Sequence, residues 1–301
     1  MDVVCAQCKS SLPRGCVDKF SCSQCGASYP VDSFGYLHMV PDGIPPSGAD
    51  DAYTQSQHES GNAIARRFLE PLIRQESGDV VLDAGCGLGV SANTLVERGL
   101  DVYGVDLSEM APYWSRVGND PKRFYCASIT QLPFPANSFD FVYSFGVIEH
   151  VGTLTGHGTL APDYQEQRAL YAQELLRVLK PGGRLVISCP NRTFPIDLQH
   201  GPADEASPQP PIRNWIYRKT SISIHRTWGP FFLVSYPEAR DLFREVREFT
   251  PLPLREYFGF GRFKRGFLKP FTGLAEAWVN NMPVSLRESC LNPYLLVQMR
   301  K

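Results

Sequence analysis

The middle of this 301-residue chain predicts an α/β fold, an open and mostly parallel sheet with helices on both faces. Three observations predict it. Between residues 51 and 190 short apolar runs alternate with helical patterns, the order that a parallel sheet requires. One of those runs, Val80-Val81-Leu82-Asp83, leads into Ala84-Gly85-Cys86-Gly87-Leu88-Gly89 and then a helix, the context of a ligand-binding glycine loop. No repeat at a solenoid period and no low-complexity tract competes with that reading.

Composition removes several alternatives. Hydrophobic residues make up 43% and charged residues 20%, enough apolar side chains for a real core. Lys plus Arg (30) nearly cancels Asp plus Glu (31), which argues against a surface that coats nucleic acid throughout but leaves room for a local basic face. No apolar run reaches 18 residues, so no transmembrane helix is expected. The opening Met-Asp-Val-Val-Cys-Ala lacks the pattern of a secretory signal. Of nine cysteines, five crowd into the first 25 residues, unlike a disulfide framework. A reduced, cytoplasmic protein is expected.

The elements follow in order. Cys5-x2-Cys8 and Cys22-x2-Cys25 are two knuckles, each setting two thiolates on a tight turn, and together they offer a closed, tetrahedral four-sulfur site. That spacing predicts a structural Zn2+, and residues 1–40 resemble a zinc ribbon with Cys16 as a free thiol. Residues 41–58 read as a linker, opened by the Pro/Gly-rich stretch 41–50. A third region, 59–301, begins with an amphipathic helix from Asn62 to Gln75 in which Pro71 threatens the last turn. Strands are expected at Val80–Asp83, Val102–Asp106, Arg123–Ala127, Phe139–Ser144 and Arg184–Cys189. Helices are expected at Ser91–Arg98, after a Ser108 N-cap, and at Tyr164–Leu179, stopped by Pro181-Gly182-Gly183. Beyond residue 190 the pattern breaks: residues 190–235 hold seven prolines, and 190–290 reads as an inserted substrate lid. Within it Pro237–Val246 looks helical, and Asn292–Met299 looks like a closing strand.

The glycines are spaced Gly-x-Gly-x-Gly rather than Gly-x-Gly-x-x-Gly, and a second strand ends at Asp106, 17 positions after Gly89, where a carboxylate can take both hydroxyls of a ribose. These residues resemble motif I and the acidic ribose loop of class I S-adenosylmethionine-dependent methyltransferases. Leu132-Pro133-Phe134-Pro135, Asn137-Ser138-Phe139-Asp140-Phe141-Val142, Glu149-His150-Val151 and Leu175 to Gly183 resemble the ubiquinone/menaquinone-type members, over roughly residues 60–190. The resemblance implies a Rossmann-like, seven-stranded sheet and S-adenosylmethionine as cofactor, leaving S-adenosylhomocysteine as product. It implies that Gly85, Gly87 and Gly89 let the backbone approach the cofactor. Asp83 is then placed near its methionine ammonium, Asp106 on the ribose, Leu107 on the adenine, and Phe145 with Gly146 at the methionine end. Where relatives often carry an Asp for the adenine amino group, this chain has Ser128, whose hydroxyl can accept in its place with help from the Ile129 backbone.

Methyl transfer asks mainly that the acceptor be held at near-attack distance and water excluded; a base is needed only where the acceptor must lose a proton. His150 follows the fourth strand and is the best-placed base, with Asp197 and His200 as an acid/base pair after the fifth. Ubiquinone-type O-methyltransferases use a Glu-x-x-Glu-His stretch here to hold a metal. This chain has Gly146 in the first of those positions, leaving Glu149 and His150, so a catalytic metal is not expected. His157, Tyr164 and His225 fall in loops expected to ring the pocket, while His38 and His58 are expected to be structural.

From Pro210 to Thr272 there are 12 Lys/Arg against 5 Asp/Glu, and 14 aromatics in 63 residues. Such a stretch forms a lid with its own aromatic core, clamps RNA by stacking and phosphate contacts, or meets an anionic membrane surface or lipid-like acceptor. Together these readings predict methyl transfer to a small-molecule acceptor, a sugar, polyketide-like or isoprenoid metabolite, with oxygen as the methylated atom. An RNA methyltransferase is the rival reading, and a non-catalytic S-adenosylmethionine-binding adaptor the third.

Overall fold

At the amino end, strands β1 (Lys19–Ser21) and β2 (Ser28–Pro30) pair antiparallel and set the second cysteine knuckle on a hairpin. The computed structural model describes residues 1–12, 18–41, 58, 60–76, 80–154, 158–197, 199–201, 211–220, 222–257 and 269–301. Cys16, His157, most of the expected linker and the aromatic stretch 258–268 lie outside the described residues. After the hairpin a short strand, β3 (Leu37–His38), turns toward the central sheet.

The first helix of the middle region forms where expected and survives its proline. It widens into a π-helical stretch at Ala65–Leu69 and ends as α1 (Glu70–Ile73). Pro71 has no N–H to give to the preceding turn, and the wider turn absorbs that missing bond. The alternation then runs β4 (Val80–Ala84), α2 (Val90–Glu97), β5 (Asp101–Asp106), α3 (Ala111–Val117), β6 (Phe124–Cys126), β7 (Phe139–Phe145), α4 (Tyr164–Val178) and β8 (Leu179–Pro190). Ser108 does not cap α3 as expected: residues Ser108–Met110 form a 3-10 turn ahead of it, and the Ser108 hydroxyl turns to His38 instead. Pro181-Gly182-Gly183 ends the helix but not the strand, because β8 passes through it with a register shift against β7.

In space the order is β11-β12-β8-β7-β4-β5-β6-β3, where β11 is Glu248–Pro251 and β12 is Tyr294–Arg300. Strands β3 to β8 in this sheet pair parallel, and β12 and β11 close it antiparallel. Six of the eight are the expected strands; β11 and β3 were not read from the sequence. Strand β3 covers the open edge of β6, which would otherwise present unpaired backbone groups. The chain leaves β4 toward β5 and β6 and returns to β7 on its other side, so a crevice opens at the carboxyl ends of β4 and β7.

Alternate residues of each strand feed two cores, as a pleated strand buried on both faces must. Leu82, Ala84, Tyr103 and Val105 join Tyr171, Leu175 and Ala239 with the ribbon residues Cys5, Leu12, Tyr29 and Leu37. Val81, Val102, Phe141 and Val186 join Leu69, Leu95, Trp114 and Val279 on the opposite face. The ribbon is therefore part of one core.

Residues 190–290 are not one inserted block. Strands β9 (Ile196–Asp197) and β10 (Ser223–Ile224) form a small ribbon enclosing α5 (Pro211–Thr220). Helix α6 (Tyr236–Leu242) packs under the main sheet and β11 is its outermost strand, so the lid reading fails across 236–251. Helix α7 (Lys269–Asn280) follows. Among the aromatics of this region Phe231, Phe232, Tyr236 and Phe243 are buried, whereas Trp215 and Trp228 stand 58% and 71% exposed. No helix among the described residues is long and apolar enough to cross a membrane.

Candidate active site

The glycine loop links β4 to α2 at the crevice. Gly85, Gly87 and Gly89 take φ of +89°, +51° and +73°, where an L side chain is strained. At Gly85 a Cβ would also run into Val147, just past β7, so the two loops flanking the crevice touch. Gly87 is pinned from both sides: its N–H donates to Asp106 Oδ2 at 2.6 Å, and its carbonyl accepts Trp114 Nε1–H at 2.7 Å. Asp106 Oδ1 accepts the Leu107 N–H at 2.8 Å, and burial pushes this carboxyl up to about 6. Asp83 sits beneath the loop. Its Oδ2 accepts the Ser91 and Tyr143 hydroxyls at 2.9 and 2.8 Å, and burial raises it to about 7.

The other cofactor candidates lie along the same ends. Ser128 follows β6 and is buried, its hydroxyl 2.8 Å from Thr130 Oγ1 and accepting the Thr130 N–H at 3.2 Å. Ile129, beside it, packs partly buried against the core. Phe145 ends β7 within an aromatic wall, its ring 6.2 Å from Phe68, 5.3 Å from Tyr143 and 5.2 Å from Tyr257.

The three catalytic candidates come together, joined by a fourth group. Asp197 Oδ2 lies 2.8 Å from His200 Nδ1, and the His150 and His200 rings are 5.4 Å apart. Although burial opposes it, the His200 imidazole and the N–H groups of Gln199 and His200 hold Asp197 below its usual range. Glu149 is 0% exposed, and neither of its carboxylate oxygens has a hydrogen-bond partner among the described residues. Burial pushes it up to about 7 against the pull of His200. Glu149, His150 and His200 each offer an atom within 4.8 Å of the others, so His200 adds a third donor to the pair seen in the sequence, a set able to hold a metal.

Sequence reasoning missed the second wall of this cluster. Tyr257 hydrogen-bonds Ser188, Tyr294 donates to Gln199 Oε1, and the two tyrosine rings are 5.8 Å apart. One signal could have found Tyr294: a closing strand antiparallel to its neighbour begins where the parallel strands end. Tyr257 carries no such mark. Other candidates lie elsewhere. His225 stacks on Phe231 at 5.3 Å and bonds the Arg192 carbonyl, and the Tyr164 ring lies under Arg168. His58 is exposed, and His38 pairs with Asp32 and Ser108.

At the amino end the sulfurs of Cys5, Cys8, Cys22 and Cys25 lie within 4.8 Å of one another, with Cys5–Cys25 and Cys8–Cys22 both at 3.5 Å. Four thiolates around a Zn2+ with bonds near 2.3 Å stand roughly 3.8 Å apart, so the set fits that ion with little movement. Ser10 Oγ is 3.1 Å from both Cys8 and Cys22, and Tyr29 OH is 3.0 Å from Cys5, hydroxyls suited to orienting thiolate ligands.

Residues 82–187 match the family described as methyltransferase domain. The 2-methyl-6-phytyl-1,4-hydroquinone methyltransferase of Synechocystis sp. is 32% identical over 158 residues, 51% of this chain and 44% of that protein. The demethylmenaquinone methyltransferase of Clavibacter sepedonicus is 38% identical over 126 residues, 40% of this chain and 45% of that protein. The sterol 24-C-methyltransferase of Pneumocystis carinii is 33% identical over 141 residues, 44% of this chain and 32% of that protein. The chain thus spans at most half the length of the curated relatives it matches. The glycine loop and the acidic end of β5 both fall inside that match, so residues 82–187 form a methyltransferase domain similar to those of S-adenosylmethionine-dependent methyltransferases.

Proposed function

We propose that this protein transfers a methyl group from S-adenosylmethionine to a hydroxyl of a small, largely apolar organic acceptor. The observation that carries the reading is the Asp106 carboxylate, fixed by Gly87 and Leu107 at the mouth of the switch-point crevice. From there it accepts the ribose hydroxyls, while Leu107 and Ile129 flank the adenine and the Ser128 hydroxyl replaces the usual acid. Gly85, Gly87 and Gly89 admit the cofactor backbone-close, Asp83 supports the loop from below, and Phe145 bounds the methionine end. The bound cofactor supplies a methyl group on a sulfonium, so transfer forms an O–C bond as the C–S bond breaks, and the hydroxyl proton goes to the protein.

Glu149, His150, Asp197 and His200 are the groups beside the crevice able to manage that proton, and they favour oxygen as the acceptor atom. The wall of Phe68, Phe145, Tyr257 and Tyr294 suits a flat or isoprenoid-like molecule, in keeping with relatives named for hydroquinone, menaquinone and sterol substrates. Sugar and polyketide-like acceptors offer less to that wall. The four cysteines hold one structural Zn2+.

Labelled S-adenosylmethionine added with the protein to fractionated cell extract tests the reading. Label is expected in the lipid-extractable or small polar fraction; label in RNA would replace the acceptor class. Labelling nothing while binding S-adenosylhomocysteine would identify an adaptor. Asp106→Ala is expected to abolish S-adenosylhomocysteine binding in calorimetry, and unchanged affinity refutes the cofactor placement.

A further inference from the structure

A loop of alternating glycines has almost no conformational preference of its own, so its shape must be imposed from outside. Here part of that frame comes from the last residues of the ribbon, after the β1–β2 hairpin. Asp32 Oδ1 accepts the N–H groups of Phe34 and Tyr36, both at 2.9 Å, closing a turn that returns the chain along β6. Asp32 Oδ2 lies 2.8 Å from His38 Nε2, and His38 Nδ1 lies 3.1 Å from the hydroxyl of Ser108, two residues beyond Asp106. Tyr36 is 1% exposed, donates its hydroxyl to the Asn119 carbonyl at 2.8 Å and stands edge-on to Trp114 at 5.3 Å. Those two partners hold the glycine loop. Trp114 Nε1–H donates to the Gly87 carbonyl at 2.7 Å, and Asn119 Nδ2–H donates to the Leu88 carbonyl at 3.2 Å. Met39 N–H completes the attachment at the Cys126 carbonyl, 2.6 Å away, immediately before the Ala127-Ser128 turn.

We propose that Asp32–Met39 is a buttress of the cofactor site, in which Tyr36 positions the glycine loop through Trp114 and Asn119, and His38 positions the ribose-side loop through Ser108. Neither side chain reaches the cofactor. Each removes freedom from a loop that would otherwise have to be ordered on binding, so each contributes to affinity by preorganisation. The inference rests on reading the crevice as the cofactor site.

The test is calorimetric titration of the full chain, well below its Tm, with S-adenosylhomocysteine and with 5′-methylthioadenosine, which lacks the amino-acid end. Tyr36→Phe and His38→Ala are each expected to weaken S-adenosylhomocysteine binding on the order of tenfold, the equivalent of one lost hydrogen bond. For His38→Ala the same factor should appear with 5′-methylthioadenosine, because Ser108 lies on the nucleoside side. Affinities within twofold of wild type, alongside a lowered Tm, would make both residues merely structural and overturn the proposal. Tyr36→Phe deletes one hydroxyl and keeps the ring, so it decides the matter if His38→Ala does not fold. Wild-type protein that binds neither ligand overturns the cofactor reading itself, and this inference with it.

Discussion

Asp83, one residue short of the end of β4, and Asp106, at the end of the adjacent β5, have surroundings that give them different duties. Asp106 spends its oxygens on backbone N–H groups at the mouth, whereas Asp83 is buried with the hydroxyls of Ser91 and Tyr143. Burial lifts Asp83 from 3.8 to about 7, so between those values the folded state holds a proton that the unfolded chain has released. Stability from this group therefore falls as pH rises through that window and is level above it. Asp83→Asn can still accept both hydroxyls and carries no charge to bury. Its stability relative to wild type should grow by on the order of 3 kcal/mol between pH 5 and pH 7 and then stay constant. Urea denaturation of both proteins across pH 5–8 measures this, and a pH-independent difference would mean that Asp83 stays ionised when folded. The acid before the glycines was legible in the sequence; its partner Tyr143, 60 positions away, was not.

Elements were legible in proportion to how local their causes are. Strands β4, β5 and β7 read from short apolar runs because both their faces are buried. Helix α6 read from its helical pattern alone, and the structure adds a local start signal that the sequence reading did not use. Ser235 N–H donates to Glu238 Oε2 at 2.8 Å while the Ser235 side chain accepts the Glu238 N–H, the reciprocal closure of a capping box, and the Ser235 hydroxyl also donates to Glu238 Oε2 at 2.6 Å. Ser235→Ala should cost about 1 kcal/mol in urea denaturation, the worth of a lost N-cap. A change near zero would mean that packing of Tyr236 and Ala239 alone sets this helix. Strand β3 is two residues long and has no period to read; it exists because β6 offers an open edge. The pairing of Glu149 with His200 was equally hidden, since it depends on where β9 returns after the fifth parallel strand.

Across the whole molecule, the cysteine module and the methyltransferase domain share more than a linker. Lys9 reaches Glu174 at 2.8 Å, and Arg177 bonds the same Glu174 and the carbonyls of Leu132 and Phe134. The Val4 N–H donates to Pro133, and ribbon side chains lie in the same core as α4 and the sheet. Glu174, half-enclosed by these cations, is held below the usual carboxylate range even though burial opposes it. A module so small has little core of its own, so the Zn2+ proposed for its four thiolates would hold its fold. On that proposal, loss of the metal removes contacts from the larger domain instead of releasing a free appendage. Metal analysis should find about one zinc per chain. In scanning calorimetry, protein stripped by a chelator should unfold in one transition at lower temperature, since even about 2 kcal/mol lost from a chain of this size lowers Tm by roughly 4 °C. Two transitions, with the upper one unmoved from the metal-loaded value, would show that the ribbon folds apart from the domain, and the shared core would then contribute nothing to its stability.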